Sequence, residues 1–194
     1  LAKAWGVGSV YVAARPDVPG RADGRLRVAD VNPNRRGVQL IAEALALGAR
    51  PIAELSADVR CLVMLGAELP GVAPARLAEL GIIAITSHER GAAAGARIAL
   101  PAAAWAEVAG TVTNAGGLVQ RMHAAFAPPG QALPGWEAVV RLAQATAAGA
   151  AGKLSYTHAR EVFKDMTQTV AAWSALVWAR EARPLALRFA GSRG

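Results

Sequence analysis

The sequence predicts an α/β chain: a doubly wound, mainly parallel sheet with a projecting β-hairpin and a C-terminal helical element. Three observations predict it. Short apolar runs rich in β-branched residues alternate with segments of helical period, the pattern of strands and crossover helices in a parallel sheet. Some of those runs, "CLVML" and "IIAI" among them, are apolar at every position, as strands covered on both faces are. Finally, "GTVTNAGGLVQRM" (110–122) places two short alternating runs on either side of Asn114-Ala115-Gly116-Gly117. Asn and Gly tolerate positive φ, so this segment closes a tight hairpin.

The elements follow in order. "GSVYVAAR" (8–15) reads as a buried strand. Residues 16–37 then form a long connection rich in Pro, Gly, Asp and Asn, and a connection of that length in a compact domain points to a functional or interfacial loop. "GVQLIAEALALGARP" reads as a helix with Val38, Ile41 and Leu45 on one face, Gly48 as its C-terminal stop and Pro51 beyond. A second strand (61–69) is expected to be covered on both faces, with Cys61 as a small core residue. "PARLAELG" makes a short helix with Pro74 near its first turn and Gly81 past its end. Third and fourth strands are expected at 82–89 and 96–102, the latter stopped by Pro101. Beyond the hairpin, the proline-rich "APPGQALPGW" leads into a helix over 136–149. From Ser155, a good N-cap, a long helix is expected through about Arg180. Its stripe of Val162, Met166, Val170, Trp173 and Val177 must dock on something. "PLALRF" reads as a last short strand. The expected organisation is an α/β domain over 1–150 and a helix and tail over 151–194, packed on it or on a neighbour.

With 194 residues the chain can bury a good core without staples. The single cysteine, Cys61, excludes an internal disulfide and any cysteine cage made by this chain alone, which suits a reducing, cytosolic setting. Apolar residues make up 54% of the chain. No run approaches the roughly 20 apolar residues that a membrane span needs. The opening "LAKAWGVGSVYVAAR" lacks a basic leader followed by a cleavage site, and its start at Leu is expected of a segment of a longer polypeptide. The net charge of +7 is spread over scattered arginines, with Arg35-Arg36 the one tight pair. Without interleaved aromatic residues this is a solvated basic surface rather than a nucleic-acid site. An acidic protein neighbour or anionic lipid headgroups can use the same charge.

The search for chemistry finds little. Gly6 and Gly8 precede their strand, whereas a dinucleotide cradle follows one. His88, His123 and His158 share no metal-ligand spacing. His88 with Glu89, at the carboxyl end of a strand, is the most site-like pair, because ligands of open α/β sheets collect there. No nucleophile elbow is present, and the carboxylates are dispersed. By elimination, no catalytic residue and no metal ligand is assigned.

One longer stretch changes the question. "IALPAAAWAEVAGTVTNAGGLVQR" (98–121) resembles a run of the molybdopterin oxidoreductase family, with Leu100, Pro101, Glu107, Gly110, Thr111, Asn114, Gly117 and Gln120 on its pattern. Within that family, "VADVNPNRRGVQL" and "APPGQALPGWEAVVRLA" look most like the large iron-sulfur subunit of the proton-translocating NADH:quinone oxidoreductase. The resemblance implies a non-catalytic scaffold segment from the C-terminal part of that subunit. Its iron-sulfur clusters would lie in an N-terminal part of the same chain. Its partners would be the other subunits of a respiratory complex in the cytoplasm, peripheral to the inner face of a bacterial plasma membrane. Where the family carries a glutamate and an arginine, this sequence has Gly116 and Leu118, which removes an acceptor and a bidentate cation. The expectation is therefore that no molybdopterin is held. Thr113, Asn114 and Gln120 are the cofactor-binding candidates that persist, set against a purely structural hairpin. The alternative is a cofactor-contacting domain of a molybdopterin-dependent oxidoreductase such as a formate dehydrogenase.

Overall fold

The computed structural model describes residues 5–7, 9–66, 68–146 and 154–178. The chain is α/β and divides into two interleaved compact units. One comprises Leu1–Ala13, Arg50–Val108 and His123–Ala159; the other comprises Ala14–Ala49, Ala109–Met122 and Arg160–Gly194. Two short strands, β1 (Val10–Val12) and β2 (Ala49–Pro51), pair as a separate ribbon.

The first unit is built on a parallel sheet of β3 (Cys61–Leu65), β4 (Gly81–Thr86) and β5 (Ile98–Pro101) in that order. The register sets Cys61 opposite Gly81 and Ile83 opposite Ile98. The central strand, β4, buries Ile82, Ala84 and Ile85, so its continuous apolar run reads as expected. β3 differs. Leu62 and Met64 turn inward while Cys61, Val63 and Leu65 are exposed. Among the described strands β3 lies at the edge and packs one face, so Cys61 is a surface thiol rather than the core residue expected.

Met64, Ile82 and Ala84 meet Ile52, Leu69, Leu80, Ala92 and Ala93 in one cluster. The short helix α2 (Pro74–Glu79) starts at its proline and adds Leu77 to that cluster. Its Arg76 guanidinium donates to the carbonyls of Ser56, Ala57 and Val59, tying the helix to the segment that enters β3. Between β4 and β5 the crossover is a five-residue 3₁₀ turn, Gly91–Gly95, in place of a full helix. Helix α3 (Gly135–Gln144) lies against β4 and buries Ala138, Val140 and Ala143. The Glu137–Arg141 ion pair, 2.7 Å long and one turn apart, supports its outer face.

In the second unit, helix α1 (Arg35–Ala44) follows Asn34, which takes the left-handed conformation. The helix ends earlier than expected. Ala46 N–H donates to the Glu43 carbonyl and Leu47 N–H to that of Ala42, with Ala46 itself at φ 50°. This is a Schellman stop placed at Ala46 rather than at Gly48. The hairpin strands β6 (Gly110–Thr113) and β7 (Val119–Met122) pair antiparallel, with Thr113 opposite Val119 and Val112 opposite Gln120.

The long C-terminal helix expected from Ser155 is shorter. Helix α4 covers Ala159–Thr169, Val170 is extended, and a 3₁₀ turn follows over Ala171–Trp173. The hydroxyls of Thr167 and Thr169 donate back to the carbonyls of Lys164 and Asp165, a contact that competes with the helix ladder and bends it. The break turns Val170, Trp173 and Leu176 into one cluster with Phe163 and Val119. Val177, expected in the stripe, is 70% exposed, whereas Phe163, outside that stripe, is buried. The expected end near Arg180 and the "PLALRF" strand lie outside the described residues. The hairpin thus has its partner: Val119 is 1% exposed, enclosed by residues of α4 and the turn after it, with Leu40 and Ile41 of α1 packed alongside.

Candidate cofactor-facing cleft

Parallel strands open their carboxyl ends on one edge of the sheet, where the loops that follow them form a crevice. Here β4 ends at Thr86 and β5 at Pro101. Thr86 is buried, and its hydroxyl both donates to the His88 carbonyl and accepts from the His88 N–H. That closed turn fixes Ser87, His88 and Glu89 at the strand end. Ser87 Oγ lies 2.8 Å from His88 Nδ1. On the next strand, Ala102 N–H donates to the Thr86 carbonyl, and Ala102 forms a parallel bridge with Leu133. The bridge brings the proline-rich connector, with Pro129, Gln131 and Ala132, onto the same edge.

The resulting cleft encloses about 450 Å³, within the range of small-molecule sites. One wall is apolar and runs along Ala99, Leu100, Pro101 and Ala102; Ser87, His88, Glu89, Glu107 and Gln131 supply polar groups. Glu107 is committed in part, since its carboxylate accepts the Ala104 N–H at 2.8 Å and closes the 3₁₀ turn Trp105–Glu107. The signal at His88 and Glu89 was legible in sequence as a strand end. Gln131 gave none, because only the Ala102–Leu133 bridge carries it there. A second concavity runs along α4 beside Phe163, Leu176 and Trp178. Among the described residues no three His, Cys, Asp or Glu side chains gather to hold a metal ion, and no helix is long and apolar enough to cross a membrane.

The three hairpin candidates are not gathered on one ligand-facing surface. Thr113 is buried, and its backbone N–H donates to Asn34 Oδ1 at 2.8 Å. Asn114 is exposed at the turn, where its side chain accepts the Leu118 N–H and its backbone exchanges bonds with Leu118 and Gly117. Gln120 sits opposite Val112, one residue out of step with Thr113, and successive strand residues point to opposite faces.

A family model described as molybdopterin oxidoreductase matches residues 44–145, more than half of the chain. The chain belongs to the molybdopterin oxidoreductase family. It is 40% identical over 85 residues to the F420-dependent formate dehydrogenase 2 subunit alpha of Methanococcus maripaludis, covering 44% of this chain and 12% of that protein. The F420-dependent formate dehydrogenase subunit alpha of Methanocaldococcus jannaschii is 33% identical over a stretch covering the same shares. A nitrate reductase of Klebsiella oxytoca is 41% identical over 70 residues, 36% of this chain and 8% of that enzyme. The aligned stretches thus span only 8–12% of the length of these relatives.

Membership overturns one expectation, that no molybdopterin is held, because the family and these relatives point to that cofactor. Gly116 and Leu118 do not decide the matter. Both lie at a turn whose polar groups mostly satisfy each other, so their side chains say little about a ligand held at strand ends elsewhere. The cleft residues do fit a pterin. A flat heterocycle would cover the apolar wall of Ala99 to Ala102, and its edge of amide and amine N–H groups would suit carboxylate and carboxamide oxygens such as those of Glu89 and Gln131.

Proposed function

We propose that this chain is a cofactor-contacting domain of a molybdopterin-dependent oxidoreductase of the formate dehydrogenase type, with the cleft at the ends of β4 and β5 facing the pterin. The observation that carries the reading is one of coincidence. Every residue of the cleft, from Thr86 to Ala132, falls inside the matched stretch 44–145, and the formate dehydrogenase subunits align with part of this chain. When bound, the molybdenum-pterin group would supply the two-electron redox chemistry that turns formate into carbon dioxide. The chain's own residues bind and orient. Ala99 to Ala102 would exclude water from one face of the bound ring, the Glu89 carboxylate would accept from its N–H groups, and Ser87 and Gln131 would hydrogen-bond its remaining polar atoms.

The test is the metal and pterin content of the intact native polypeptide, with formate-dependent dye reduction measured alongside. Near-stoichiometric molybdenum or tungsten with pterin is expected. Glu89→Ala and Gln131→Ala should each weaken cofactor retention by about tenfold, the loss of one charge-assisted or well-placed hydrogen bond. Cofactor content unchanged in both variants would move the pterin away from this cleft.

A second reading, a scaffold segment of a respiratory NADH:quinone oxidoreductase subunit, rests on the likeness of "VADVNPNRRGVQL" and "APPGQALPGWEAVVRLA" to that subunit. It carries with it iron-sulfur clusters elsewhere in the parent chain, partner subunits, and a place on the cytoplasmic face of the plasma membrane. NADH-dependent quinone reduction by the native assembly, with no response to formate, would favour it.

A further inference from the structure

We infer that residues 16–31 form a docking projection whose tip, Arg25-Leu26-Arg27, seats Leu26 in an apolar pocket rimmed by carboxylates on another protein subunit.

The loop is long, and it is held shut. At its base, Arg15 N–H donates to Asn32 Oδ1 at 2.7 Å and Asn32 Nδ2 returns a bond to the Arg15 carbonyl at 2.9 Å. The Arg35 guanidinium bridges the two limbs, reaching Asp17 at 2.8 Å and Asp30 at 2.9 Å. Midway, Val18 N–H donates to the Ala29 carbonyl. At the tip, one oxygen of Asp23 accepts the N–H groups of Arg25, Leu26 and Arg27, each at 2.9 Å. A compact loop with joined ends and internal closure of this kind is commonly a working surface.

What the loop displays decides its partner. Leu26 is 94% exposed, and Val18 and Val28 are about half exposed at 48% and 50%. A single exposed leucine on a mobile surface needs no explanation. Here the turn beneath it is locked, so the ordering entropy is spent before a partner arrives, which is what preorganisation for binding consists of. Arg21, Arg25 and Arg27 are all exposed, and none is in an ion pair among the described residues. The nearby carboxylate, Asp23, is turned to the backbone. The tip therefore joins an apolar anchor to unneutralised guanidinium groups, which seek carboxylates bidentately. An interface of that composition, an anchor with a charged rim, is a protein interface. Residues 16–31 contain no aromatic residue for bases to stack on, and one leucine with two half-covered valines is too little apolar surface for an interfacial membrane anchor.

The test uses the full-length polypeptide in its native assembly. A photo-crosslinking amino acid placed at Leu26 should join a carboxylate-rich peptide of a different polypeptide, while the same group at Glu79, exposed on α2, should not. Leu26→Asp, and separately Arg25→Glu with Arg27→Glu, should weaken retention of that polypeptide at least tenfold in a salt titration. Reversing the charge of the crosslinked carboxylates should restore it for the arginine variant. All these side chains point to solvent, so unchanged melting temperatures keep the comparison clean. Crosslinks to lipid or nucleic acid, none above the Glu79 control, or unchanged retention would each overturn the inference.

Discussion

Ala46 holds a left-handed conformation that a glycine two residues later was expected to supply, and the difference is measurable. A non-glycine residue at positive φ carries a penalty of about 1–2 kcal/mol, so Ala46→Gly should stabilise the protein by about 1 kcal/mol after the added unfolded-state entropy is counted. Thermal unfolding checks it as a rise in Tm. Gly37 makes the opposite case. A Cβ there would stand 2.6 Å from Asn34 Oδ1 and 2.8 Å from Thr113 Oγ1, and Asn34 Oδ1 is held by the Thr113 N–H. Although alanine favours a helix by about 1 kcal/mol over glycine, the overpacking and the disturbed hydrogen bond cost more. Gly37→Ala is expected to destabilise by about 1–2 kcal/mol in a denaturant titration. Thr113, a cofactor candidate from sequence, has its observed bonding at this junction between helix and hairpin.

At the scale of elements, the 16–31 loop depends on two carboxylates. The three N–H bonds from Arg27, Arg25 and Leu26 hold the Asp23 carboxyl below its ordinary value of 3.8. Burial pushes Asp30 upward, but the hydrogen bonds from Asn32 and the charge of Arg35 outweigh it, so it too lies below 3.8. A folded-state value below the unfolded one means stabilisation fully present above the unfolded value and lost as pH falls through the folded one. Amide protection of Leu26 and Arg27 should therefore hold at neutral pH and fall below about pH 4, and Asp23→Asn should lower it at all pH values while flattening that dependence. The α4 break belongs to the same scale. Helical period was readable from Val162 to Val177, yet the threonine back-bonds and the burial of Val170 ended the helix at Thr169.

For the whole molecule, the interleaving of its segments matters more than any one contact. The cluster around Val119 draws Phe163, Val170, Trp173 and Leu176 from the last described segment. Ending the chain after residue 158 would delete all four. Removing a single Phe or Trp side chain from a core costs about 3–5 kcal/mol, and domains have only about 5–15 to lose. The hairpin amides of β7 should then lose protection altogether, while those of β4, whose cluster includes none of these residues, should keep theirs.

By itself the sequence determined the α/β class, the central apolar strand β4, the hairpin turn at Asn114 and Gly117, and the family likeness of 98–121. These rest on period, turn chemistry and residue order, which are local. Tertiary structure decided that Cys61 and Leu65 face outward on an edge strand, that Gln131 joins Glu89 across a strand bridge, and that the hairpin leans on α4. Such facts depend on which distant residues meet, and a linear pattern carries no distance between them.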